Sequence, residues 1–242
     1  MSPEHVALLA ATCALAGVVR GFAGFGTAMI YLPVAAQVLG PFAAITTLIA
    51  MDLIGPLPSL PQALRDAHPP DIGRLLAGLV VILPVGVWGL SHTDPDMFRL
   101  LVSAVTLVLL VVLISGLRYR GRLTPPLVYG TGGACGLLGG LTGLAGPPVI
   151  LVYMASTLPA AAVRGTITAY LWGVDVAFIL MFAVLGRLEL SAMLLGFGLA
   201  VPYLLGNLLG AAMFRPGNER LYRAVAYAVI AASALSGLLS GS

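Results

Sequence analysis

Apolar residues run almost without a break from Val6 to the end of the chain, and the polar residues between them fall in short clusters. Continuous apolar stretches occur at Phe42–Ala63, Ile72–Leu90, Met97–Leu117, Ala160–Leu185, Leu190–Phe214 and Leu221–Ser240. Each approaches the ~20 residues that carry a helix across ~30 Å of hydrocarbon, so six transmembrane helices are predicted. Two regions remain, Val6–Leu39 and Pro126–Leu158, and neither fits one span or two. As a single helix, Val6–Leu39 would extend about 51 Å at ~1.5 Å per residue. Its glycines, Gly21-Phe22-Ala23-Gly24-Phe25-Gly26, cut it into Val6–Val19 and Thr27–Leu39, each about 20 Å long. Gly140-Leu141-Thr142-Gly143-Leu144-Ala145-Gly146-Pro147-Pro148 interrupts the second region in the same way. Both are predicted to be broken hairpins that enter and leave on one side. Backbone that leaves the helix at membrane depth must be buried in protein or line a cavity. A pair of such breaks in matching positions of two halves points to a transporter's binding site.

Composition narrows the class. Of 242 residues, 60% are hydrophobic and 9% charged, against roughly 25% charged in a soluble domain. The fold class is therefore an all-α polytopic membrane protein, and its first partner is the lipid bilayer. No polar stretch is long enough for a soluble catalytic domain or a nucleic-acid-binding module. The region before the first apolar run carries no positive charge, so a cleaved signal peptide is not predicted.

Charge placement sets the topology, and the chain has twelve arginines and no lysine. If both leftover regions crossed once, one side would carry Arg65, Arg74, Arg118, Arg120, Arg122 and Arg187. The other would carry Arg99, Arg164, Arg215, Arg220 and Arg223, which is no bias at all. With two hairpins, Arg65, Arg74, Arg118, Arg120, Arg122, Arg164, Arg215, Arg220 and Arg223 share one side, and only Arg99 and Arg187 oppose them. That asymmetry assigns the larger group to the cytoplasm of a cell inner membrane and both termini to the periplasm. The first hairpin then opens from outside and the second from the cytoplasm. The chain reads as two inverted repeats, 1–120 (hairpin 6–39, helices 42–63, 72–90, 97–117) and 121–242 (hairpin 126–158, helices 160–185, 190–214, 221–240). Pairings such as Gly21/Gly140, Gly24/Gly143, Gly78/Gly196 and Pro84/Pro202 support duplication. A second register, pairing Cys13 with Cys135 and Tyr31 with Tyr153, stays open.

A helix that begins after a break presents unpaired N–H groups and the positive end of its dipole, which suits a small anion. The expected substrate-binding residues are Gly24, Phe25, Gly26 and Thr27 at the first break, and Thr142, Gly143, Leu144, Ala145 and Gly146 at the second. Close helix packing through small residues is the competing role for the glycines. Arg20, inside an apolar region, is the expected positive charge for the anion, with snorkelling or pairing to an acid such as Asp52 as alternatives. Thr46, Thr47, Thr166 and Asn207 are further donors. Asp52 and Asp175 lie mid-span, where a carboxylate can take up and release a proton during transport. Pro56, Pro58, Pro84 and Pro202 are expected to kink their spans. His5, His68 and His92 are isolated, so no metal is expected; no cofactor and no enzymatic motif is read either. Cys13 and Cys135 sit in apolar segments and read as small buried hydrophobes.

The two glycine motifs, in order and within this span pattern, resemble the sulfite exporter TauE/SafE family of bacterial membrane transporters. The first-half form stands as Gly21 to Pro33, with Thr27 and Ala28 where the family has two further glycines. The second-half form is Gly140 to Pro148, followed by Ala162-Val163-Arg164-Gly165-Thr166. The resemblance implies a secondary transporter or facilitator of sulfite, a sulfonate or a related organic anion, working by alternating access. Two other readings stay open: a membrane-embedded sulfur-handling protein that uses the two thiols, and an anion channel. A homodimer is compatible with the sequence.

Overall fold

Proline and glycine punctuate this chain, and the helices begin and end where those residues put them. The computed structural model describes residues 1–57, 59–116, 122–153, 156, 158–213 and 219–239. Pro58, Arg118, Arg120, Arg215 and the predicted span ends at Leu117, Phe214 and Ser240 lie outside these. The described residues form eleven helices: α1 (Pro3–Ala23), α2 (Thr27–Ala35), α3 (Pro41–Ile54), α4 (Leu60–Asp66), α5 (Pro69–Ser91), α6 (Pro95–Ile114), α7 (Pro125–Thr142), α8 (Gly146–Tyr153), α9 (Ala160–Val184), α10 (Leu190–Met213) and α11 (Glu219–Leu239). Six of them are long and apolar enough to cross a membrane: α1, α5, α6, α9, α10 and α11. The chain is an all-helical, multi-pass membrane protein.

Prolines open α1, α4, α5 and α7 in the first turn, where the missing N–H costs nothing and the fixed φ suits a helix. At α1 the Ser2 hydroxyl also accepts from the His5 N–H at 3.3 Å, a conventional N-cap. Pro84 and Pro202 lie inside α5 and α10, which continue through them.

Two sequence expectations are corrected. The predicted span 42–63 is two helices, because Gly55 and Pro56 end α3 and a separate α4 begins at Leu60. The broken hairpins are also unequal. Their first arms are full-length helices, α1 of 21 residues and α7 of 18, while the second arms are short, α2 of 9 and α8 of 8. Gly21 and Gly140 do not break their helices; the breaks fall at Gly24–Gly26 and at Gly143–Ala145.

The helices form two compact units, and neither is a continuous stretch of chain. Unit 1 is Met1–Met51, Asp94–Ile114 and Leu188–Ser242; unit 2 is Asp52–Thr93 and Ser115–Arg187. In unit 1, α1 lies against α10 with backbone touching backbone. A Cβ at Gly17 would overlap the Tyr203 carbonyl oxygen, and one at Gly206 or Gly210 would overlap those of Ala14 or Val18. In unit 2, α7 lies against α5 on the same principle. Gly132, Gly136 and Gly140 follow one another at every fourth position and press on the backbone of Leu75, Leu79 and Gly86. Without a hydrophobic drive between helices in lipid, such close approach is what holds membrane helices together.

Candidate functional site

In each unit a glycine in the left-handed region ends a long helix, and a short helix starts within four residues. Gly24, with φ 80°, caps α1, and its N–H donates to the Arg20 carbonyl at 2.8 Å. Gly26, with φ 104°, then precedes α2. Gly143, with φ 78°, caps α7 and donates to the Gly139 carbonyl at 2.6 Å. These backbone angles strongly favour glycine, which explains why each break is glycine-rich. The first N–H to close back into α2 is that of Ile30, on the Gly26 carbonyl at 3.0 Å. The N–H groups of Thr27, Ala28 and Met29 therefore lie at an open, electropositive helix start.

Side chains complete the first break. Arg20, half-buried in the last turn of α1, donates from Nη1 to the Thr27 hydroxyl at 3.3 Å. Thr27 is the first residue of α2 and is buried, and its hydroxyl lies 3.5 Å from that of Tyr203 on α10. Phe25, in the link, stacks obliquely on Tyr227 of α11 with ring centroids 6.3 Å apart. One turn into α2, the Tyr31 hydroxyl donates to the Thr47 hydroxyl on α3 at 2.7 Å, and Thr47 donates to the Ala44 carbonyl at 2.8 Å. Thr46 is buried beside it, with no hydrogen-bond partner for its hydroxyl among the described residues. Arg20, Thr27 and Tyr203 thus form one linked set at the helix break, and Tyr31 and Thr47 a second pair one turn into α2. Asn207, on α10, is half-buried, and its backbone lies against Gly17 and Gly21.

The second break is built differently. The Thr142 hydroxyl donates to the Leu138 carbonyl at 2.7 Å and accepts from the Leu144 N–H at 3.3 Å, which ties up one donor of the link. Leu144 and Ala145 are buried, and α8 begins at Gly146 with Pro147 and Pro148 in its first turn. Thr166, on α9, is buried, but its hydroxyl accepts the His68 N–H at 2.9 Å and so pins the start of α5. Asp175 is half-buried in the middle of α9. Asp52 is not mid-span as expected: it lies in the last turn of α3, next to the break at Gly55.

Residues that the sequence did not single out are also present. Asp71, 4% exposed at the start of α5, pairs with Arg74 at 3.0 Å and with His68 at 3.2 Å. His68 is therefore not isolated as expected. Four tyrosines, Tyr31, Tyr153, Tyr170 and Tyr203, are the largest fully buried side chains. Tyr153 ends α8 in the neighbourhood of Asp71 and Arg74. A signal was available for one pair, since Tyr31 and Tyr153 share the spacing of Cys13 and Cys135. The aspartate gave none, because an acid near a span end reads as a solvated flank.

A sequence model of the family described as Sulfite exporter TauE/SafE matches residues 9–237. No curated protein and no solved structure matches the chain.

Proposed function

We propose, from the premise that the chain belongs to the sulfite exporter TauE/SafE family, that it is a secondary transporter carrying a small oxyanion of the sulfite or sulfonate type by alternating access. The observation that carries this reading is the glycine-ended helix followed by a short helix start, found once in each unit. Such a start offers backbone donors and a positive dipole end to an oxyanion without placing a fixed charge in the membrane. At the first break Arg20 adds the positive charge, with Thr27 holding its guanidinium near the start of α2. We read the two breaks as equivalent parts of inverted repeats in a cell inner membrane, with both termini periplasmic. Asp52 and Asp175 remain the candidates for proton coupling.

Purified protein in liposomes provides the test. Flux of sulfite and of short sulfonates should saturate with concentration, and that of unrelated cations should not be supported. Arg20→Ala should reduce saturable anion flux at least ~10-fold, the scale of one lost charge-assisted hydrogen bond, while inserting normally. Flux that rises linearly without saturation would replace the transporter reading with a channel. Unchanged flux in Arg20→Ala would remove Arg20 from the site.

A further inference from the structure

We propose that the groove between α5 and α7 in unit 2 binds an anionic phospholipid of the surrounding bilayer, with an acyl chain along the groove and the phosphate at its arginine end. The inference goes beyond the transport reading and does not depend on which anion the chain carries. The groove encloses about 600 Å³, inside the ~300–1,000 Å³ range of small-molecule sites. Ala77, Gly78, Val81 and Ile82 of α5 form one wall. Tyr129, Gly130, Gly133 and Leu137 of α7 form the other. Missing side chains make it concave. A Cβ at Gly78 would overlap the Tyr129 carbonyl oxygen, and one at Gly133 would press on Ile82 at 3.3 Å, so these two glycines bring the helices together. Gly130 takes no part in that packing, because a Cβ there would meet nothing within 4 Å. From Tyr129 to Leu137 the α7 wall runs about 12 Å at ~1.5 Å per residue.

Charge decides what covers the groove. Arg74, Ala77, Gly78, Val81 and Ile82 recur at i, i+3, i+4, i+7 and i+8, so the arginine continues the α5 wall toward the helix start. The two helices run parallel, since Gly132, Gly136 and Gly140 press in turn on Leu75, Leu79 and Gly86. Arg122, exposed and just ahead of α7, therefore stands at the same end as Arg74. The Arg74 side chain is 32% exposed and gives Nη1 to Asp71 at 3.0 Å, and its guanidinium carries further donors. Tyr129, 47% exposed near the start of α7, lies where an interfacial tyrosine belongs. Between helices in lipid there is no hydrophobic drive, so an apolar groove does not select its occupant by apolarity. Basic pockets between transmembrane helices on the cytoplasmic side do select lipid phosphates. A second copy of the chain fits less well. Two copies in one membrane share an orientation, so a two-fold dimer through this groove would set Arg74 and Arg122 beside their own counterparts. Like charges so placed oppose docking, whereas a phosphate favours it.

The experiment titrates the purified full chain, in a neutral detergent, with phosphatidylglycerol, with phosphatidylcholine of the same acyl chains, and with glycerol phosphate, and follows the melting temperature. Phosphatidylglycerol should raise the wild-type melting temperature saturably, with a midpoint at least ~10-fold below that of phosphatidylcholine. Glycerol phosphate, which has no chain for the groove, should leave it unchanged. Gly130→Leu fills the groove from its open side. It should melt at or above the wild-type temperature without lipid and raise the phosphatidylglycerol midpoint at least ~10-fold. Arg74→Gln combined with Arg122→Gln should bring the phosphatidylglycerol midpoint to that of phosphatidylcholine. Equal midpoints for the two lipids in wild type, or no shift with either, overturn the proposal. So does a phosphatidylglycerol midpoint left unchanged by Gly130→Leu or by the double arginine variant. Glycerol phosphate that matches phosphatidylglycerol would replace the lipid with a free phosphate and overturns it as well. A dimer in size exclusion that Gly130→Leu abolishes would make the occupant a second copy, which also overturns it.

Discussion

Gly24 is a glycine because of its backbone angle and not because of its surroundings. Its φ of 80° disfavours any side chain, yet a Cβ placed there would meet no atom within 4 Å. Gly24→Ala should therefore fold and insert, losing about 1–2 kcal/mol from the left-handed conformation. It should also shift the donors that follow it, so anion flux should fall more than stability does. Detergent thermal unfolding and liposome flux measure the two separately; a normal flux with the same stability loss would show that the break only ends a helix. Asp71 is the opposite kind of residue, set by its partners. Its carboxylate holds Arg74 and His68 at the start of α5, where negative charge also suits the helix dipole. Both partners are partly exposed, so Asp71→Asn should cost only about 1–2 kcal/mol, with less effect at high salt. A loss above about 4 kcal/mol would mean that Arg74 is stranded in a drier place than its exposure indicates.

Glycines that read alike in the sequence divide, at the level of helices, into two groups. Gly24 and Gly143 end helices, whereas Gly17, Gly21, Gly132, Gly136 and Gly140 lie inside them and let α10 or α5 approach. On α10 the distinction can be tested within one helix. A Cβ at Gly206 would overlap the Ala14 carbonyl oxygen, while one at Gly198 would meet nothing within 4 Å. Gly206→Leu should force α1 and α10 apart, cost about 3 kcal/mol or more, and yield little monodisperse protein. Gly198→Leu should be close to neutral by the same size-exclusion and melting measurements; equal damage from both would remove the close-packing account. This division also explains what the sequence made legible. The long spans α5, α6, α9, α10 and α11 were readable because apolar length alone decides whether a helix can cross. The breaks were readable as regions but not to the residue, since Gly21 and Gly140 lose their helix-breaking character only when a partner backbone presses on them. The end of α3 at Gly55-Pro56 was missed because a hydropathy window counts proline and glycine as tolerable. At the candidate site, Arg20, Thr27 and Thr47 were legible as polar residues in apolar sequence. Tyr203 was not, because an aromatic in a membrane helix signals packing until its hydroxyl is placed.

Across the whole molecule, orientation follows from charge more firmly than from helix count. If both broken pairs return to the side they came from, Arg65, Arg74, Arg122, Arg164 and Arg223 would share one face, and Arg99 and Arg187 the other. Arginine near span ends is retained on the cytoplasmic side, so periplasmic termini are the proposed orientation. The native thiols, Cys13 and Cys135, are both fully buried, so single introduced cysteines can be read against a Cys13→Ser, Cys135→Ser background. Ser2 and Arg122 are exposed and carry the two ends of the argument. Ser2→Cys should react with a membrane-impermeant maleimide added outside intact cells. Arg122→Cys should be protected in intact cells and react in inside-out vesicles. Labelling of both from one side would mean that the first broken pair crosses the membrane fully. The two halves would then run parallel and not inverted. Opposite-side labelling is the expected result, because inverted halves require an odd number of crossings between Ser2 and Arg122.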